Sequence, residues 1–189
     1  KRIGALALGA ALLLTSLTVS AGAAEVSSVT MEMRPNVTIL VDGVERTFYN
    51  AQGQEVHPLY YQGTHYLPVR AIGELMGKNV NWDGSTKTIT LSGTRTTGNV
   101  QGTPDTNAQV QNITVQMHPD FTIVVDGVKR TFQDAQGSAV YPVLYQGTNY
   151  LPVRAIGELM GKTVSWNGAT RTITLADDSQ VTDADTSGP

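Results

Sequence analysis

The stretch Tyr66-Leu67-Pro68-Val69-Arg70-Ala71-Ile72-Gly73-Glu74-Leu75-Met76-Gly77-Lys78 returns unchanged from Tyr150 to Lys162, 84 positions later. It reads as a short amphipathic helix. Pro68 suits the first helical position and drives Leu67 into extended backbone. Val69, Ile72, Leu75 and Met76 follow at spacings of three and four and make one apolar face. Gly77 supplies a left-handed terminator, and Lys78 sits near the negative end of the dipole. Gly73 costs the helix about 1 kcal/mol relative to Ala, which implies close packing on a sheet. A helix this short does not hold alone in water, so it must be docked.

Working outward, Val29 to Ser92 aligns without a gap with Ile113 to Ala176, about two-thirds identical. Each copy, at about 64 residues, is the size of a small domain. In the first copy Val29 to Met33 alternates as a strand. Val37 to Val41 and Val44 to Phe48 flank Asp42-Gly43, a strong hairpin signal. That pairing sets Val41 opposite Val44, and it also sets Arg46 opposite Ile39 and Arg130 opposite Ile123. Either the register differs or the arginine head reaches water. A second hairpin, Val56 to Tyr61 and His65 to Leu67, runs into the helix. Beyond it Val80 and Trp82 share a face, Asp83-Gly84-Ser85 turns, and Ile89 and Leu91 point inward.

One helix on an antiparallel sheet is an α+β arrangement. The expected organisation is a signal peptide at 1–23, a domain at 29–92, a Gly-, Thr- and Asn-rich flexible linker at 93–112, a second domain at 113–176, and an acidic disordered tail at 177–189. The leader reading rests on Lys1-Arg2, the apolar run Ile3 to Val19 and the small residues Ala21-Gly22-Ala23. It predicts a secreted chain, extracellular or in the cell wall, with nothing holding it in a membrane after cleavage.

Composition narrows the chemistry. Without Lys1 and Arg2 the formal charge falls from −3 to −5, which offers no electrostatic footprint for nucleic acid. The chain has no cysteine, so disulfides and thiolate chemistry are excluded.

Asp42-Gly43, then Tyr66 to Ile72, Leu75, Gly77, Val80 and Trp82, then Lys87 to Leu91, resemble the copper amine oxidase N-terminal domain, or stalk domain, in both copies. The resemblance implies a small antiparallel sheet wrapped around one helix, outside the catalytic part of the oxidase and common as tandem copies in exported bacterial proteins. Nothing here matches the catalytic domain: the oxidase cofactor arises from a tyrosine in an Asn-Tyr-Asp/Glu context, and Asn149-Tyr150-Leu151 departs from it.

Three chemistries compete with plain packing. The positions equivalent to His57, His65 and His118 in the other copy hold Tyr141, Asn149 and Arg34, so a repeated metal site is not indicated. Met31, Met33, Met117 and His118 could form a soft copper(I) site if the copies met, although methionines on one strand face ordinarily fill core. Glu74 and Glu158 lie four residues after Arg70 and Arg154, the spacing of a surface ion pair rather than an acid–base dyad. Trp82 and Trp166 join the tyrosines as candidates for a sugar- or peptide-stacking surface, but they alternate with Val80 and Val164 and read as core. Tyr60, Tyr61, Tyr66, Tyr145 and Tyr150 are the possible ligand face. The chain is therefore read as a non-enzymatic envelope spacer or interaction module without cofactor or metal, its partner a cell-wall polymer or envelope protein. A carbohydrate- or wall-polymer-binding protein, or a copper-binding one, is the alternative.

Overall fold

The structure, a computed structural model, describes residues 24–177. The leader at 1–23 and the tail from residue 178 onward lie outside the described residues. The first repeat runs β1 (Ser27–Met33), β2 (Thr38–Val41), β3 (Val44–Glu45), β4 (Phe48–Tyr49), β5 (Glu55–Val56), β6 (Leu59–Tyr61), β7 (Thr64–Pro68), α1 (Val69–Leu75), β8 (Asn79–Asp83) and β9 (Thr88–Ser92). The second runs β10 (Gln111–Met117), β11 (Thr122–Val125), β12 (Val128–Arg130), β13 (Phe132–Gln133), β14 (Ala139–Val140), β15 (Val143–Tyr145), β16 (Thr148–Pro152), α2 (Val153–Met160), β17 (Thr163–Asn167) and β18 (Thr172–Ala176). Among the described residues strands predominate, with two short helices, an α+β composition.

Six strands close an antiparallel barrel in the order β1-β10-β15-β16-β7-β6. Its two seams between repeats are symmetric: Thr30 faces Thr114 and Leu67 faces Leu151, each residue opposite its own counterpart. A pseudo-twofold axis therefore relates the repeats. Met31, Leu59, Tyr66, Ile113, Val115, Val143 and Tyr150 fill the interior.

The expectation of one sheet per repeat is corrected here. The two four-stranded sheets, β12-β11-β9-β8 and β17-β18-β2-β3, each take a hairpin from each repeat. They join by parallel pairing, Ile123 beside Ile89 and Ile39 beside Ile173. Connectivity supplies the reason. β1 is committed to the second repeat along its whole length, and only Arg34 to Val37 separate it from β2. Four residues reach about 14 Å at most, so β2 is delivered beside the second repeat's β18. The apolar core accordingly mixes both repeats, with Ile39 and Val41 among Ile173, Leu175 and Ile156.

The hairpin register is as read. Val41 pairs with Val44, Ile123 with Arg130, and the Arg46 N–H donates to the Ile39 carbonyl at 2.9 Å. Asp42 and Gly43 have φ of 50° and 76°, as a two-residue turn of this hand requires. Arg46 and Arg130 are exposed, so the arginines reach water while the first strand stays buried.

Pro68 ends β7 and caps α1 in extended backbone, one position earlier than the sequence suggests. Gly77 and Gly161 have φ of 62° and 65°, and the Lys78 and Lys162 N–H groups close the helix ends on the Gly73 and Gly157 carbonyls. A Cβ on Gly73 would stand 2.2 Å from Val80 Cγ2, and one on Gly157 2.3 Å from Val164 Cγ2. Helix and sheet touch there because nothing intervenes.

Residues 93–110 follow the surface of the first repeat. Arg95 Nη2 donates to Glu74 Oε1 at 3.1 Å, with both side chains largely buried. The Val100 N–H donates to the same oxygen at 3.2 Å, and the Asp105 N–H to Glu55 Oε2 at 2.6 Å. Glu74 thus pairs with the connecting segment instead of Arg70.

Candidate functional site

Among the clefts where the repeats meet, two are repeat counterparts of each other, and each draws on both repeats. The first, about 320 Å³, is lined by Trp166 on β17, Arg154 in the first turn of α2, the loop Gln133 to Gln136, and the first repeat's turn Gln62-Gly63-Thr64. The second, about 470 Å³, has the counterparts: Trp82, Arg70, the loop Tyr49 to Gln52 and the turn Gln146-Gly147-Thr148.

The local sequence builds these walls. Gln62 and Gln146 take φ of 45° and 46° ahead of glycines at 81° and 75°, so each β6–β7 or β15–β16 hairpin closes in two residues. In the loops Asn50 Oδ1 accepts from the Gln52 and Gln54 N–H groups, and Asp134 Oδ1 from those of Gln136 and Ser138. These bonds hold the amide-bearing segments in place.

The tryptophans are 43 % and 44 % exposed, which corrects their reading as core. Each is backed by an aromatic ring from the other repeat. His65 lies 4.6 Å from Trp166 between ring centroids, and Tyr60 lies 4.9 Å beyond it. The Arg34 guanidinium sits 3.7 Å over Tyr60 and pairs with Glu32. On the other side Phe121 lies 4.7 Å from Trp82 and stacks on His118 at 3.9 Å. His118 Nδ1 is 3.0 Å from Asp120, which also accepts from Lys87 Nζ at 2.7 Å. Burial, reinforced by Arg34, lowers the His65 pKa to about 4, so the imidazole is neutral at pH 7.

The five tyrosines do not form one face. Tyr66 and Tyr150 are buried in the barrel, Tyr150 also lining with Tyr145 a third cleft of about 670 Å³, and burial pushes their hydroxyls up, Tyr66 to about 12. Tyr61 and Tyr145 pack half-buried against the same interior. Tyr60 alone of the five lines the first cleft, and its counterpart in the second is Leu144.

The methionine–histidine set is not assembled either. Met33 pairs with Gln111 and Met117 with Ser27, at opposite ends of the β1–β10 ladder. Six strand positions put them roughly 20 Å apart. Among the described residues no group of three or more His, Asp or Glu could hold a metal ion.

Sequence reasoning assigned the tryptophans to the core and missed the two arginines. The available signal was position: Trp82 and Trp166 directly precede Asp83-Gly84 and Asn167-Gly168, at the turn end of a strand and past the reach of a short helix. Indole faces, carboxamides and one guanidinium per cleft are groups that hold a ligand by stacking and hydrogen bonding.

The copper amine oxidase N-terminal domain matches residues 48–132 and 124–186. The chain belongs to this family, in two tandem copies. The domain is not a catalytic one. Its first match runs from Phe48 to Phe132, a residue and its repeat counterpart, and so encloses β8, β9, β11 and β12, the whole of one sheet. The family frame is thus shifted against the frame of 29–92 and 113–176. Comparison with curated proteins and with solved structures gives no match.

Proposed function

We infer that this chain is an exported, non-enzymatic spacer and interaction module of the cell envelope. The observation carrying this reading is the interlocking of its two family domains, in which the strands of each repeat complete the sheet of the other. Such a unit has no independent halves to hinge apart, a property suited to holding other parts at a set distance. The leader-like segment at 1–23 supports export, and among the described residues no helix is long and apolar enough to cross a membrane. The paired clefts, with exposed indoles that a spacer alone would not need, favour a second role in contacting an envelope polymer.

The test is fractionation of cells producing the full chain, with co-sedimentation of the chain from Ala24 onward on purified wall sacculi. The reading predicts the chain in the envelope or medium, cut near Ala23, with saturable retention on envelope material for the binding role. A chain confined to the cytoplasm and still carrying its first 23 residues would overturn it.

A further inference from the structure

We propose that each tryptophan cleft binds one unit of an acidic polysaccharide, the sugar ring on the indole and its carboxylate on the helix arginine. This names the ligand class for the interaction module inferred above and rests on that reading.

Three observations converge. An indole more than two-fifths exposed forgoes part of the roughly 1.5–3 kcal/mol that burying a large apolar side chain contributes. Both rings are nevertheless held in place, one by His65 and the other by Phe121, so each offers a supported flat face at the cleft. Sugar rings have an apolar face of C–H groups that matches it. Along the same strand the adjacent residues differ between repeats, Asn81 and Asp83 becoming Ser165 and Asn167, while the tryptophan stays.

The other walls suit hydroxyl groups. Gln62 and Gln136 line the first cleft, Gln146 and Gln52 the second, and each carboxamide both donates and accepts.

The arginines choose the charge. Arg154 and Arg70 line the clefts without an ion-pair partner among the described residues. A guanidinium takes a carboxylate through two parallel bonds. No carboxylate lines the second cleft, and the one in the first, Asp134, has its Oδ1 engaged by two backbone N–H groups. The chain as a whole is acidic, so this preference is local and involves about one cation per cleft. Two such clefts per molecule also favour a polymer over a single sugar, since its repeated units can occupy more than one site.

The chain's two tryptophans are the two cleft tryptophans, so intrinsic fluorescence reads the site directly. Full chain is titrated with polygalacturonate and, separately, with the same polymer methyl-esterified. The expected result is a saturable emission change with the acid polymer and at least tenfold weaker binding of the ester. Arg70→Gln with Arg154→Gln should abolish that preference while leaving the circular dichroism unchanged. Trp82→Phe and Trp166→Phe each leave one emitter that reports its own cleft. Equal affinity for both polymers, an unchanged preference in the arginine variant, or no emission change would each overturn the proposal. Retention on sacculi without any response to polygalacturonate would reject the ligand class and leave the module reading in place.

Discussion

Gly73 and Gly157 set how closely each helix meets its sheet. Replacing Gly73 with Ala favours an isolated helix by about 1 kcal/mol. Here the new methyl group would meet Val80 Cγ2 at 2.2 Å and the Lys78 carbonyl at 3.1 Å. Valine is stiff about χ1, so it cannot swing clear. Gly73→Ala is therefore expected to destabilise the chain by about 1–3 kcal/mol, measured by urea unfolding, against the sign of helix propensity. His65 carries a second prediction. Its pKa in the folded chain, lowered to about 4, lies below the value of 6.5 for a free imidazole. The unfolded chain thus binds more protons between those limits, and stability falls as pH drops from 6.5 towards 4. His65→Asn, which installs the second repeat's residue at this position, should flatten that slope by about 1–3 kcal/mol across the window, read from unfolding curves at several pH values. The close approach at Gly73 was legible in the sequence because a glycine inside an amphipathic helix demands a packing reason. The exposure of Trp82 was harder to read, because alternation with Val80 gives a face and only its place before the Asp83-Gly84 turn says where cover by the helix ends.

Hairpins are the elements that sequence describes best. Asp42-Gly43 and Asp126-Gly127 set both turn and register, and the pairing of Val41 with Val44 follows. The partner of each hairpin was not legible. β2 and β11 present matching edges, and so do β9 and β18. The register Thr38 to Thr172 is the repeat image of Thr122 to Thr88, so local sequence fits self-pairing and cross-pairing alike. The connecting segment shows the same limit: its Gly and Thr content reads as flexible, yet Arg95 finds Glu74 in a buried pair. Glu74→Gln should weaken that anchor and raise the rate of proteolytic cleavage between residues 96 and 110 several-fold, followed by mass spectrometry. The melting temperature should change little, because the sheets and barrel do not depend on this contact.

At the scale of the whole molecule, a core shared by both repeats predicts one unfolding transition rather than two. Ile89→Ala in the first repeat should lower the midpoint of the entire chain by removing about 2–5 kcal/mol, because Ile89 is buried beside Ile123 of the second. Calorimetric and van't Hoff enthalpies should agree, whereas two independent domains would separate under that substitution. The most direct measurement uses the absence of native cysteine. Cysteines placed at Thr38 and Thr172, or at Thr88 and Thr122, should join within one chain through a short thiol cross-linker, since neighbouring strands lie about 4.8 Å apart. Cysteines at Thr38 and Thr88 should not. Efficient cross-linking of Thr38 to Thr88, with none between Thr38 and Thr172, would mean that each repeat closes on itself and would contradict the interlocked fold.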